Sequence, residues 1–489
     1  MINKIIGRHY EQQQLQKVFE SKEAEFIAIY GRRRVGKTFL IRNFFTNKTC
    51  LFFQVSGIHK GRINLQLNEF KNEIERAFYS DKGGLQLKQP ENWMDALQLL
   101  TESIEITKGH KKVILFLDEF PWMATPKSGL LQALDYYWNR FWVNNPKIKL
   151  IVCGSAASWI IRHILNNKGG LYNRVTSRIH LEPFTLYETK EYLRQRGIIY
   201  NNIQILDLYM CIGGIPFYLK FIEKGLSAVQ NINRLCFQKK GSLLDEFKNL
   251  FSSLFDHAQD HEKIIRAIAS RREGLSRTEL ENITESKGGR LSERLQELEE
   301  AGFIMEFIPW GKEKGIYYRI IDEYTLFYLK WISPEKKMRL TKESGIKFWE
   351  DASQTPSWKA WAGYAFEAVC YKHLANIRKA LHIKEGATAA TWRYSSKKEN
   401  EEGAQIDLLF DRTDDTLNIC EIKYCKEAYA IDKSYAKDLL RKVDIYRNIT
   451  KTEKQIFLSM VTSCRLKKTM YSEEIISSHV ELDDFFKEN

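Results

Sequence analysis

The sequence has no apolar run of the roughly eighteen residues that a membrane-spanning helix needs. Its start, Met1–Tyr10, is charged and lacks the apolar stretch of a signal peptide. The eight cysteines include no C-x-x-C pair, which argues against a zinc ribbon and against a secreted disulfide framework. Low-complexity tracts and internal repeats are also absent. We therefore expect a soluble, cytoplasmic protein with reduced cysteines and no membrane partner.

What the chain does have is length, apolar content and basic charge. Its 489 residues are enough for about two to four domains. Hydrophobic residues make up 44% of the chain, so a sizeable core can form without disulfides. The formal net charge is +13. A basic balance suits nucleic acid or an anionic surface, although it can also serve solubility alone.

Short apolar runs separated by helical patterns fill residues 1–184. Such runs indicate a parallel sheet covered by helices on both faces, so we predict an α/β fold. Helical patterns dominate in residues 185–255, which are predicted to be a helical subdomain. The predicted strands are Phe26–Tyr30, Leu51–Val55, Val113–Leu117, Lys149–Cys153 and Arg178–Leu181.

The second half of the chain changes character twice. Residues 256–335 read as three short helices followed by a hairpin, the order of a winged helix-turn-helix. A charged, linker-like stretch follows at 333–344. Residues 345–489 then read as a separate α/β domain, with a helix at Trp361–Leu374, a hairpin at Gln405–Lys423, a helix at Ala436–Arg447 and a strand at Gln455–Val461.

Residues 31–38 match the phosphate-loop pattern G-x-x-x-x-G-K-[ST] between a predicted strand and a predicted helix. Glycines let the backbone N–H groups wrap phosphates, and the helix N-terminus adds a positive dipole end. Lys37 would reach the β- and γ-phosphates of ATP, and Thr38 would hold Mg²⁺. The candidate nucleotide-binding residues are Gly31, Arg32, Arg33, Arg34, Val35, Gly36, Lys37 and Thr38.

Polar residues at the ends of later strands complete the predicted site. Asp118 would bind Mg²⁺ and Glu119 would polarise the attacking water, since open α/β sheets bind ligands at this edge. Ser155 follows another strand and could sense the γ-phosphate. Arg174 and Arg178 follow the Gly-rich segment 169–172, and either could act as an arginine finger or be a structural surface arginine. A finger acting in trans would require a homo-oligomer.

Two further motifs give a family resemblance. Ile6-Gly7-Arg8 resembles the adenine-side motif of AAA+-like and STAND ATPases, and Gly213–Leu219, with Pro216, resembles the GxP motif of STAND helical subdomains. With the phosphate loop, Asp118 and Glu119, the chain resembles the archaeal-type P-loop ATPase family over nearly its whole length. That resemblance implies a winged helix and a C-terminal nuclease-like module.

The C-terminal hairpin carries a second candidate site. If its strands pair about position 414, Asp407 lies opposite Glu421, and the alternation of a strand puts Lys423 on the face of Glu421. Two carboxylates could hold Mg²⁺ while the lysine orients a water, which is what phosphodiester cleavage needs. A salt-bridged sheet face without metal is the plain structural alternative.

These residues resemble the PD-(D/E)XK nuclease superfamily, although Ile406 replaces the proline of its name. The resemblance implies a restriction-endonuclease-like α/β fold and a further metal-binding acid on a preceding helix, where Glu367 fits. A nuclease fold that is kept only for binding stays open.

The predicted winged helix would place Gly288–Ala301 in the major groove of DNA; a winged helix that contacts protein and touches no DNA is the alternative. Its candidate DNA contacts are Lys287, Arg290, Arg294, Lys312 and Lys314, while four glutamates on the same helix weaken this interpretation.

The leading hypothesis is an ATP-controlled DNA-binding protein with a metal-dependent nuclease module; RNA is not excluded. The alternative is a STAND-like switch or DNA-binding regulator whose nuclease-like domain is not catalytic. A third possibility is an ATPase for protein remodelling, which would show no salt-dependent affinity for DNA.

Overall fold

The computed structural model describes residues 4–80, 86–106, 112–166, 171, 173–312, 315–334, 347–395 and 402–488. The chain divides into two compact units, Met1–Pro183 and Phe184–Asn489. Lys314 and most of the predicted Gly-rich segment 169–172 and linker 333–344 lie outside the described residues. The finer division of the second unit into three domains stays a prediction. Within the described ranges, no helix has the length and apolarity to cross a bilayer.

A five-stranded sheet with the order β2-β3-β4-β1-β5 forms the centre of the first unit, and every pair of its strands is parallel. Its central strand β4 is buried at every position, as expected for a sheet covered on both faces. The predicted α/β class and all five predicted strands of this unit are confirmed. The strands are β1 (Glu25–Tyr30), β2 (Cys50–Ser56), β3 (Lys112–Asp118), β4 (Ile148–Gly154) and β5 (Ser177–His180).

Helices cover this sheet, and their apolar faces supply large side chains such as Phe70, Trp93 and Trp138 to the core. Four of the helices were not predicted: His9–Glu20, Ile63–Tyr79, Phe120–Met123 and Ala157–Ile160. The α-helices are His9–Glu20, Lys37–Thr46, Ile63–Tyr79, Trp93–Ile106, Phe120–Met123, Leu130–Tyr137 and Ala157–Ile160, and π-helical turns follow at Trp138–Trp142 and Ile161–Leu165.

The second unit begins with helices, several of which start at a reciprocal capping box such as Thr185 with Glu188. Their bounds are Leu186–Gln195, Asn202–Ile212, Pro216–Leu219, Ala228–Cys236, Glu246–Leu254, Ala258–Ala269, Arg277–Thr284, Gly288–Glu300 and Glu323–Phe327, with a π-helical turn at Tyr328–Ile332. A small antiparallel sheet of order β6-β8-β7 lies among them. Its strands are β6 (Leu275–Ser276), β7 (Ile304–Phe307) and β8 (Tyr317–Ile320).

A second five-stranded sheet, of order β13-β12-β11-β10-β9, ends the chain. Its β9-β10-β11 part is antiparallel, whereas β11, β12 and β13 are parallel. The strands are β9 (Thr388–Tyr394), β10 (Ala404–Asp411), β11 (Thr416–Lys423), β12 (Gln455–Thr462) and β13 (Ser478–Val480). The helices around them are Phe348–Ala352, Pro356–Lys372, Leu374–Ala380, Lys433–Thr450 and Met470–Ile475, with a 3₁₀ turn at Leu482–Phe486.

The expectation that all cysteines are reduced is wrong for one pair. Cys425 and Cys464 form a disulfide across 39 residues. They follow β11 and β12, which run side by side in parallel, so the two chain segments leave the sheet together. Sequence spacing did not reveal this pair because the strands that bring it together are distant in the chain.

Candidate functional site

The phosphate loop joins the C-terminal end of β1 to the helix Lys37–Thr46. Gly31 opens the loop with φ of 140°, and a Cβ on this residue would lie 2.2 Å from the carbonyl oxygen of Leu181. Only glycine fits such an approach. Arg34 and Gly36 also have positive φ, 74° and 95°, so the backbone curls tightly before the helix begins. The sequence therefore folds here into the loop that its motif predicts.

Lys37 is the first residue of the helix, and its ammonium is buried in the loop. Its Nζ donates to the carbonyl oxygens of Gly31, at 2.8 Å, and of Arg32, at 2.9 Å. Burial lowers the pKa of Lys37, and nearby Glu119 and Asp118 oppose that effect. The loop thus holds a positive charge in a fixed place, which is the preorganisation that binding of an anion requires.

Thr38 and Asp118 meet at the C-terminal edge of the sheet. Because β1, β4 and β3 are parallel neighbours, the phosphate loop and the acidic end of β3 lie at the same edge of the sheet. Thr38 Oγ1 donates to Asp118 Oδ2 at 2.7 Å, and Asp118 is buried. Hydroxyl and carboxylate oxygens are the ligands that Mg²⁺ takes, so this pair fits that ion.

Glu119 is fixed by Ser155, the residue directly after β4. One oxygen of Glu119, Oε2, accepts from the Ser155 backbone N–H at 3.1 Å and from Ser155 Oγ at 2.8 Å. Glu119 itself has a left-handed backbone with φ of 45°. Strained residues of this kind gather at functional sites. The structure thus brings Ser155 to the carboxylate, while its predicted sensing of the γ-phosphate stays a prediction.

The predicted adenine-side motif opens the described chain. Ile6 and Arg8 are buried, and Gly7 and Arg8 have φ of 59° and 57°. The Arg8 guanidinium donates from Nη2 to the carbonyl oxygen of Glu182 at 2.6 Å. The motif is therefore bound to the segment just after β5, and β5 pairs with β1, the strand that leads into the phosphate loop.

The candidate arginines differ in burial. Arg32 is buried, and Arg33 is half-buried. Arg174 precedes β5 and Arg178 lies within it, and both are exposed. Exposed arginines at these positions are compatible with an arginine finger and with a structural surface role. The arginine finger therefore stays a prediction.

The Gly213–Pro216 motif lies in the second unit. A Cβ on Gly214 would lie 1.9 Å from the carbonyl oxygen of Phe184, whose N–H donates to Gly214 O at 2.7 Å. Pro216 begins the helix Pro216–Leu219, where its missing N–H costs no hydrogen bond. Close packing thus explains the second glycine, and a role of Pro216 like that of the GxP motif in STAND proteins stays a prediction.

The C-terminal hairpin has the register that the sequence predicts. β10 and β11 pair antiparallel with Leu408 opposite Cys420, so Asp407 and Glu421 are the next residues along the two strands. The backbone N–H of Ile422 donates to Asp407 Oδ2 at 3.0 Å. The hairpin therefore brings the two carboxylates to one end of the sheet.

Glu421 is buried, and both of its carboxylate oxygens are engaged. Oε1 accepts from Tyr435 Oη at 2.8 Å and lies 2.9 Å from Lys423 Nζ. Lys442 Nζ donates to Oε1 at 3.0 Å and to Oε2 at 2.9 Å. Burial opposes ionisation, but Lys423 and Lys442 outweigh it and hold the pKa of Glu421 below its ordinary value. Lys423 shares the face of Glu421, as the strand alternation predicts.

Glu367 is the third predicted acid and lies on the helix Pro356–Lys372. Burial, followed by repulsion from Asp407, raises the pKa of Glu367 to about 8. Burial and the Glu421 charge raise the pKa of Asp407 to about 6. Among the described residues, no group of three or more His, Cys, Asp and Glu side chains is arranged to hold a metal ion. The donor atoms suit Mg²⁺, but they do not form a three-ligand group in this arrangement.

Two residues of this site were missed by sequence reasoning. Tyr435 and Lys442 lie on the helix Lys433–Thr450, which the sequence predicts without indicating which face meets Glu421. A seven-residue spacing places both on one side of a helix, and this was the only available signal.

Tyr424 follows Lys423 directly and connects this site to another part of the second unit. Its Oη donates to Asp207 Oδ1 at 2.5 Å, and Lys426 Nζ lies 3.7 Å from Asp207 Oδ2. Asp207 lies on the helix Asn202–Ile212, which leads into the Gly213–Pro216 motif. The helical segment and the carboxylate site are therefore in direct contact.

The predicted DNA contacts are only partly exposed. Lys287 and Arg290 are exposed at the start of the helix Gly288–Glu300, and Lys312 is exposed as well. Arg294 is different, since its side chain is 11% exposed and pairs with Glu297 at 3.0 Å. It is engaged within its own helix and is a poor candidate for a phosphate contact.

Comparisons with known proteins find similarity to ATPases in the part of the chain that carries the phosphate loop. Residues 6–222 match the sequence model of a family described as an ATPase domain predominantly from Archaea. An uncharacterized protein of Methanocaldococcus jannaschii is 25% identical over 453 residues, which cover 89% of this chain and 91% of that relative.

Solved structures that are similar to this chain include the Walker-type ATPase of Pyrococcus abyssi, with 18% identity, a TM-score of 0.48, and coverage of 67% of this chain and 96% of that one. The ORC2 protein of Aeropyrum pernix, solved in ADPNP–ADP complexes, has 15% identity, a TM-score of 0.42, and coverage of 70% and 98%. The match to this family model covers the segment that carries the phosphate loop on its parallel sheet, so residues 6–222 are similar to an archaeal-type ATPase domain.

Proposed function

We propose that this protein hydrolyses ATP and uses its nucleotide state to control a C-terminal module that cleaves DNA. In the ATPase domain, Lys37 binds the β- and γ-phosphates, and Thr38 with Asp118 holds Mg²⁺. Glu119 polarises the attacking water, and Ser155 keeps its carboxylate in position. ATP phosphate oxygens would replace the loop carbonyls that now accept from Lys37.

The C-terminal module is proposed to be a PD-(D/E)XK-type nuclease. Its support is a hairpin that brings Asp407 beside Glu421, with Lys423 on the same face. A divalent cation bound there would supply charge stabilisation to phosphodiester cleavage. Lys423 would orient the attacking water, and Glu367 is the third acid of the site.

Residues 256–335 are proposed to act as a winged helix that holds the DNA. Three helices and the small β6-β8-β7 sheet are the elements of that fold. Exposed Lys287, Arg290 and Lys312 would contact phosphates. RNA stays open as a substrate beside DNA.

The proposal that ATP controls the C-terminal module rests on one observation, the hydrogen bond from Tyr424 Oη to Asp207 Oδ1. Lys423 is the neighbour of Tyr424, and Asp207 lies on the helix that leads into Pro216. A nucleotide-dependent movement of the helix Asn202–Ile212 would thus displace Tyr424 and, with it, Lys423 of the proposed cleavage site. Such coupling requires that the contacting elements can adopt two discrete arrangements, and that both sites influence which one is populated.

The test is cleavage of linear and supercoiled DNA by the purified full chain with Mg²⁺, compared between ATP and ADP. We expect cleavage that differs between the nucleotides and is lost in Lys423→Ala. Lys468→Ala is the matched control, because Lys468 is exposed. Lys37→Ala should abolish the difference between ATP and ADP. Cleavage that survives Lys423→Ala would contradict this site.

A STAND-like switch with a non-catalytic module is the second candidate. It is favoured by the engagement of both Glu421 oxygens and by the lack of a three-ligand group among the described residues. This candidate predicts ATP-dependent binding of DNA without cleavage. If Arg174 or Arg178 acts in trans, sedimentation velocity should show an ATP-dependent homo-oligomer.

A further inference from the structure

A lysine, Lys442, faces the Glu421 carboxylate from the helix Lys433–Thr450. Its ammonium lies 3.0 Å from Oε1 and 2.9 Å from Oε2, so it contacts both oxygens at once. This is the direction from which a divalent cation would approach a bidentate carboxylate. The Lys442 side chain is only 18% exposed, so water screens the pair weakly.

The remaining contacts of Glu421 leave little room for another cation. Oε1 also accepts from Tyr435 Oη and lies 2.9 Å from Lys423. Oε2 has Lys442 as its only partner among the contacts found in the described residues. A cation that uses both oxygens of Glu421 must therefore displace Lys442.

Lys442 has a second carboxylate within reach. Asp438, one helical turn earlier, has its Oδ2 3.9 Å from Lys442 Nζ, and its side chain is 37% exposed. Asp438 also pairs with Arg441. A rotation of the lysine side chain would bring its ammonium to Asp438 and toward solvent. Lys423, in contrast, is held on β11 within the sheet.

We propose that Lys442 is a built-in counter-cation which competes with a divalent cation for Glu421, and that the cation binds only when Lys442 swings to Asp438. This inference rests on the proposed nuclease-type site. In the cation-bound state, the released ammonium lies beside the site and can contact a substrate phosphate.

The first test is Mn²⁺ binding, measured by titration calorimetry without nucleotide. All proteins carry Asp118→Asn, so that the ATP site does not contribute. Replacing Lys442 with methionine, which keeps most of the side-chain length and removes the charge, should tighten Mn²⁺ binding at least about tenfold. Lys442→Arg should bind Mn²⁺ no more tightly than the parent. Glu421→Gln should lose this site, and Lys437→Met, an exposed lysine on the same helix, should match the parent.

Unchanged or weaker Mn²⁺ binding by Lys442→Met overturns the proposal. If that variant does not fold, the parent chain answers the question by acetylation of lysines with acetic anhydride and mass spectrometry. Mg²⁺ should raise the labelling of Lys442 but not of Lys437, and equal labelling overturns the proposal. If Lys442 competes with the divalent cation but the protein cleaves no DNA, only the proposed nuclease function is contradicted. Cleavage with no effect of Lys442 on Mn²⁺ affinity would contradict this inference alone.

Discussion

Ser155 donates two hydrogen bonds to one carboxylate oxygen of Glu119, one from its backbone N–H and one from its hydroxyl. Glu119 directly follows β3 and Ser155 directly follows the neighbouring strand β4, so the order of strands in the sheet creates this pair. The backbone bond would survive a substitution of Ser155, whereas the hydroxyl bond would not.

We expect Ser155→Ala to slow ATP hydrolysis by about 10- to 100-fold, since a hydrogen bond to a charged group contributes about 1.5–3 kcal/mol. Nucleotide affinity should change little, because Lys37 and the loop are untouched. Phosphate release gives kcat, and fluorescence titration gives Kd. Ser158→Ala, on the helix just beyond, is the control. An unchanged kcat in Ser155→Ala would show that Glu119 does not depend on this hydroxyl.

Glu119→Gln should have a larger effect on the same reaction. The amide cannot act as a base, so we expect kcat to fall by about 10²- to 10⁴-fold while ATP still binds. Glu105→Gln, an exposed glutamate, serves as the control. Hydrolysis at the rate of the unmodified protein would remove Glu119 from the catalytic role.

Tyr424→Phe should destabilise the second unit. Burial already raises the pKa of Asp207, and loss of the Tyr424 hydroxyl leaves Lys426 at 3.7 Å as its ion-pair partner. A buried acceptor that loses its donor costs about 1–3 kcal/mol. Urea unfolding should report that loss, while Tyr471→Phe should unfold like the parent chain. The same variant should weaken the effect of ATP on the C-terminal module if the proposed coupling is correct.

The buried environment of His373 predicts that the folded protein loses stability in acid. Its Nε2 accepts from the Leu186 N–H at 3.1 Å, so its Nδ1 carries the proton and donates to Val369 O at 2.8 Å. Burial lowers the pKa of His373 to about 4, below its value in the unfolded chain. Its contribution to stability is therefore fully present above about pH 6.5 and is lost as the pH falls toward 4.

That contribution reaches about 3 kcal/mol, since each pKa unit corresponds to about 1.4 kcal/mol. Chemical unfolding at pH 7.5, 6, 5 and 4.5 measures it. In His373→Asn the fall in unfolding free energy over this range should be smaller, whereas His382→Asn, at an exposed histidine, should follow the parent curve. Identical pH profiles for the parent and His373→Asn would refute the assignment.

The Cys425–Cys464 disulfide should stabilise the C-terminal sheet. Its 39-residue separation corresponds to about 4 kcal/mol in a chain-entropy account. A reductant, or Cys464→Ser, should lower the Tm of the second unit, and the reductant should have no further effect on the variant. Cys50→Ser, at a free cysteine in the first unit, is the control. Equal melting with and without reductant would show that the disulfide is not present in solution.

Short-range patterns in the sequence were enough for part of this fold. The phosphate loop was predicted because its eight residues are contiguous and their conformations are set by local sterics, as at Gly31. The β10–β11 register was predicted for the same reason, since a short turn fixes which residues face each other. The parallel strands of the first unit were recognised by their unbroken apolar runs.

Other elements had no clear signal of their own. The strand β9 is only partly buried, and β13 has three residues, so neither shows the alternation that identifies a strand. Both are at the edges of the sheet, where pairing partners rather than propensity decide the conformation.

The sequence by itself determined the nucleotide loop, the parallel sheet and the acidic hairpin, because each depends on residues within one or two neighbouring elements. Only the tertiary structure decided that Ser155 holds Glu119, that Lys442 and Tyr435 close over Glu421, and that Cys425 meets Cys464. These contacts join elements that are distant in the chain. Their geometry follows from strand order and helix packing, and no local pattern records either.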